Sequence, residues 1–134
     1  MEDIQIGTVT SGGEATAVNM ADISIDTVED GGMVDASNSI TNLDAGTIAG
    51  TVVADAEISD ATIGMLSGTI GANGPNTMED IQIGTVTSGG EATAVNMDDI
   101  TIDSVEEGAE IVASNSIDDI TVTEDMNGSI EAVD

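Results

Sequence analysis

Carboxylates are the only ionisable side chains in this sequence: its 134 residues hold 27 Asp and Glu and no Lys, Arg, His, Cys, Tyr, Phe or Trp. Nucleophilic triads, Schiff bases and thiolate chemistry are thereby excluded, which leaves only a pair of acids of the kind that cleaves glycosidic bonds. Such a pair would work here without aromatic rings to stack on a sugar and without cations to hold a uronate. The acids also recur along the chain rather than converging on one unique cleft. The expectation is therefore a protein that is not an enzyme and requires no cofactor.

The carboxylates are nonetheless ordered. Asp3, Asp22, Asp80, Asp99 and Asp119 each open a short string in which apolar residues alternate, and an acid precedes four of them as Glu2, Glu79, Asp98 and Asp118. Stacked at strand spacing, such carboxylates repel by roughly 1 kcal/mol per pair in water and by more near a protein surface. Calcium, a hard cation that accepts several oxygens in flexible geometry, is the ligand that would relieve this. The candidate metal ligands are Glu79, Asp80, Asp98, Asp99, Asp118 and Asp119. The alternative is a well-solvated corner whose charge keeps a strand-rich protein from aggregating.

The elements that must place these acids follow from an internal repeat. Residues 1–20 recur unchanged at 78–97, and 12 of the next 20 positions also match at the same offset of 77. Within that long period lies a short one, with units of 18 to 20 residues beginning at 3, 22, 42, 62, 80, 99 and 119. In this register the second position is always Ile or Leu. The sixth is Thr8, Thr27, Thr47, Ser67, Thr85, Ser104 and Glu124, and the tenth is glycine in six of the seven units. Alternation at the second, fourth and sixth positions marks a strand with one buried face, and glycine marks a corner. A second strand follows the corner, as Val34, Ala36, Asn38 and Ile40 or Ile111, Ala113, Asn115 and Ile117. In it Asn38 and Asn115 either point inward in an amide ladder or form a corner.

Composition agrees with a repetitive β structure. Apolar residues make up 40% of the chain, all of them aliphatic or Met, which suits a narrow interior of stacked small side chains better than a wide core. No window shows a helical stripe, and Gly, Thr, Asp, Val and Ile are poor helix formers. The expected fold class is all-β, a single parallel β-solenoid of about seven 18–20-residue coils spanning 1–134. An antiparallel β-sandwich, with each unit a hairpin, is the alternative.

The Asp-Ile-x-Ile-x-Thr-Val units and the stretch from Ala56 to Ile70 make the chain resemble the β-solenoid stalks of bacterial surface adhesins, phage tail fibres and related extracellular filaments. That resemblance implies a structural, non-catalytic role in a fibre, filament or adhesin stalk, at an extracellular or cell-surface location. The Gly-Gly-x-Gly-x-Asp nonapeptide of calcium-binding toxin repeats is absent, so calcium in every turn is not implied. A calcium-dependent binding module and an ice-binding solenoid are the alternative functions, although alternation puts Thr8, Thr27, Thr47 and Thr85 on the same side as the buried Ile residues, where their hydroxyls form an internal ladder. A net charge of -27 with no cation rules against nucleic acid and anionic membranes as partners. Met1 is followed directly by acids rather than by a signal peptide, and it matches internal Met78, so the repeat reads as open at its ends. End-to-end self-association is the partner expectation, with divalent cations as the other.

Overall fold

The computed structural model describes residues 2–72 and 77–133. Met1 and Asp134, where the repeat is expected to be open, lie outside the described residues. β-Branched residues at alternating positions form ten strands: β1 (Glu2–Val9), β2 (Glu14–Val28), β3 (Met33–Ile48), β4 (Thr51–Ala54), β5 (Glu57–Leu66), β6 (Thr69–Ala72), β7 (Thr77–Val86), β8 (Glu91–Val105), β9 (Glu110–Val122) and β10 (Ser129–Ala132). Every pairing between these strands is parallel. The chain is a parallel β-solenoid of about seven turns. The antiparallel sandwich is excluded by those pairings.

Each turn is read most simply from the pairing of β2 with β3. A first segment joins Glu14–Ala17 to Met33–Ala36, a short second one joins Asn19–Ala21 to Ser39–Thr41, and a third joins Ile23–Val28 to Leu43–Ile48. Between the second and third segments stands one residue with positive φ in every coil: Asp3, Asp22, Asn42, Asp60, Asp80, Asp99 or Asp119. Asn and Asp tolerate this left-handed conformation because their short polar side chains can bond locally. The chain thus turns at an Asx residue, and the file of acids is first of all a backbone requirement.

Side chains of like kind stack rung upon rung. One interior file runs Ile23, Leu43, Ala61, Ile81 and Ile100, and another, of alanines, includes Ala36, Ala54, Ala94 and Ala113. Aliphatic side chains and Met alone close the interior, without aromatic rings. Through the middle coils these residues are sealed, with Ile63 at 1% and Ile81 at 0% exposure. Each fully buried Ile, Leu or Val contributes roughly 1.5–3 kcal/mol.

Two details differ from the sequence reading, and at Asn38 and Asn115 one of its two alternatives holds. The fourth coil is entered at Asp60, two residues ahead of Thr62, because Leu43 pairs with Ala61 and Ala61 with Ile81. A shift of two preserves which residues face inward, but it takes Gly71 out of the corner and into β6, where it pairs with Val53 and Thr93.

The threonine file faces outward. Thr8 is exposed and Thr27, Thr47 and Thr85 are half-buried, whereas the residues that follow them, Val9, Val28, Ile48 and Val86, are buried. The period of two slips by one residue at Gly7, Asp26, Gly46 and Gly84, which drop out of the pairing between Ile6↔Ile25 and Thr8↔Thr27 and at the equivalent places above.

Asn38 and Asn115 lie at an exposed corner, where the Asn38 Nδ2 donates to Asn19 Oδ1 and the Asn115 Nδ2 to Asn96 Oδ1 at 2.7 Å. Strands β3 and β9 each carry one extra residue there, visible as a register shift after Ala17 and after Ala94. The amide ladder exists, but outside the core.

Candidate metal centre

The six carboxylates singled out from sequence fall into two adjacent files. Glu79, Asp98 and Asp118 pair in one, just before the corner, and Asp80, Asp99 and Asp119 occupy the left-handed corner itself. The corner file is dictated by the backbone and continues through the molecule. The other file is not, since its counterparts in earlier coils are Glu2, Ala21, Thr41 and Ser59, an acid in the first coil alone. Acid doublets over β7–β9 are therefore a local choice of side chain.

Of the six, Asp98, Asp99 and Asp119 each bring a carboxylate oxygen within 4.8 Å of the other two, the one such group among the described residues. Asp98 is half-buried and the other two are exposed. Asp80 joins Asp99 and Asp119 in lining a shallow groove with Gln82, Thr101 and Thr121, while Glu79 and Asp118 stay outside the cluster. Asp98 beside it raises the pKa of Asp99, with partial desolvation, Asp80 and Asp119 adding in the same direction. Nothing cationic in the chain offsets this crowding.

Asp60 belongs to the same corner file and is the member that sequence spacing missed. Its signal was present: an Asx residue one place before an inward alternating pair, Ala61 and Ile63. At Asn42 the file is neutral, and its Nδ2 donates to Asp22 Oδ1 on the rung below. An amide between acids thus supplies the donor that a cation would otherwise replace.

Known proteins offer no guide here. No family model, curated protein or solved structure matches the chain. Chemical roles are therefore assigned from what the carboxylates touch, and several serve as acceptors for a neighbouring coil. Glu29 Oε2 accepts from the Ser11 backbone N at 3.2 Å, and Glu106 Oε2 accepts from the Ser88 N at 3.3 Å, the same clamp in two copies of the long repeat. Asp103 Oδ1 accepts from Thr123 Oγ1 at 3.0 Å and Glu124 Oε2 from Ser104 Oγ at 3.3 Å. Charge-assisted bonds of this kind tie rung to rung. The outward hydroxyl file forms one rank only, interrupted at Met65, which pairs between Thr47 and Thr85.

Proposed function

We propose that the chain is a structural, non-catalytic solenoid, a segment of an extracellular fibre, filament or adhesin stalk. The observation that carries this reading is the unbroken parallel pairing from β1 to β10, in which side-chain polar groups recur by rung and bond to the next rung. A repeat of this kind distributes load along a rod, since each coil contacts only its neighbours. The carboxylates support the same reading. Those at the corner answer a backbone demand, and others clamp adjacent coils.

Calcium dependence would rest on Asp98, Asp99 and Asp119 alone, and none of the three is deeply buried or held by a donor that aims it at an ion. The structural reading is the better supported. Negative-stain electron microscopy tests it: the purified chain is expected as rods of constant width that lengthen into filaments when charge is screened. Isolated compact particles under all conditions of salt and pH would contradict it.

A further inference from the structure

The two ends of the solenoid are not sealed like its middle. Ile4, Ile6, Ala15 and Ala17 in the first coil and Ile117, Ile120, Val122 and Ile130 in the last are only half-buried, although their counterparts in the central coils are buried. Among the described residues the outer coils thus present a strand edge and a strip of half-buried aliphatic side chains, which is the combination that recruits another strand.

Corner lengths decide what fits there. After the third strand segment the chain turns through four residues in some coils, as Thr10–Gly13 and Thr87–Gly90, and through two in others, as Ala49-Gly50, Ser67-Gly68 and Asn127-Gly128. Inside the molecule the four-residue corner of the fifth coil sits on the two-residue corner of the fourth, with the Thr87 N donating to Leu66 O at 2.9 Å and the Glu91 N to Gly68 O at 2.8 Å. The first coil carries the same residues as the fifth, because 1–20 and 78–97 are identical.

The last coil ends in the same two-residue corner as the fourth. Asn127 N and Gly128 N both donate to Val105 O, at 2.8 and 3.2 Å, as Ser67 N and Gly68 N both donate to Ile48 O, at 2.8 and 2.9 Å. The receiving corner therefore has the hydrogen-bond pattern on which an identical first coil already docks within this chain, while the rung leading into it is carried past Val122 by the single bridge Val105↔Met126.

We propose that the partner of this solenoid is a second copy of itself, its first coil seated in register on the seventh coil of the copy before it. The proposal rests on the structural reading above and adds polarity and register to it. Head-to-tail contacts of this type do not close and so generate filaments. The junction continues the corner file from Asp119 to Asp3, acid above acid, so screening governs assembly.

Cross-linking reads both polarity and register. The pairings Gln82↔Thr101 and Thr101↔Thr121, continued one rung, place Thr121 beside the Gln5 of the next copy, since Gln5 is the equivalent of Gln82. Both are exposed and the chain has no cysteine of its own. Neighbouring rungs lie within disulfide reach, whereas Gln5 and Thr121 of one chain are six rungs, roughly 29 Å, apart.

The double variant Gln5→Cys/Thr121→Cys, oxidised in about 1 M salt, is expected to give a ladder of covalent multimers that fades near 0.01 M salt. Neither single variant is expected to give one. Circular dichroism matching the parent chain verifies that all three fold. Single variants that dimerise as readily as the double one overturn the proposal, as does a double variant that stays monomeric. Rods seen by microscopy without the ladder would leave the structural reading standing and defeat this junction, while the absence of both would defeat the two together.

Discussion

Asp99 carries the clearest electrostatic conflict in the molecule, held in a left-handed turn with Asp98 beside it and Asp80 and Asp119 on the adjoining rungs. An acid whose pKa is raised on folding binds its proton more readily in the folded chain, so stability falls as pH rises through the interval above the ordinary aspartate value. Asp99→Asn keeps a residue that tolerates positive φ and removes the charge. The expected outcome is a higher melting temperature at neutral pH in low salt, a gain that shrinks as salt is added, and a flatter dependence of melting temperature on pH across that interval. Unchanged melting curves would show that the acids do not strain the fold. In a parallel titration, calcium and sodium at matched ionic strength are expected to stabilise the parent chain equally, as screening requires; a calcium-specific gain abolished by Asp99→Asn would instead establish a site.

Strands and corners are where the sequence was most and least legible. The interior files could be read directly because a strand buried on one face alternates with period two, and Ile23, Ile25, Ile100 and Ile102 keep that period without interruption. Burying a lone carboxylate at Ile100, which is 2% exposed, is accordingly expected to cost more than about 4 kcal/mol, whereas Thr101→Asp on the solvent face stays within about 1 kcal/mol. Chemical denaturation of the two variants separates them, and equal tolerance would refute the register.

The threonine file was misplaced because the period slips at Gly7, Asp26 and their equivalents; glycine at 7, 46, 64 and 84 marks the place, but strict alternation was read straight through it. Coil four was misplaced because Asp60 and Thr62 both precede an alternating pair, and only the demand for positive φ distinguishes them. The three-acid cluster was half legible: six acids were named, but which three converge depends on side-chain direction at the turn. Corners make a further test. A Cβ on Gly68 would collide with the backbone carbonyls of Gly50 and Ala49, while one on Gly12, at φ 75°, meets nothing within 4 Å. Gly12→Ala is expected to cost about 1 kcal/mol from backbone strain alone, and Gly68→Ala more than that, because two rigid coils must separate. Thermal melts of the two variants rank them.

For the whole molecule the balance lies between a sealed aliphatic interior that favours stacking and a charge of -27 that opposes any approach of like chains. Acid and salt act on the second term only. Assembly is therefore expected to rise as pH falls toward the carboxylate range or as the Debye length shrinks from about 30 Å at 0.01 M to about 3 Å at 1 M. The coil count and the parallel stacking were foreseeable from direct repetition of whole units, which a hairpin fold has no reason to show. The central claim is that the coils stack along the axis of a rod and that the rod is extended by further copies. Cryo-electron microscopy of the chain in about 1 M salt tests it most directly. Rods of constant cross-section are expected, with a rung spacing of about 4.8 Å along the long axis and lengthening in steps of about 34 Å for each seven-coil copy. Rungs running across the long axis, or particles that never exceed the length of one chain, would contradict it.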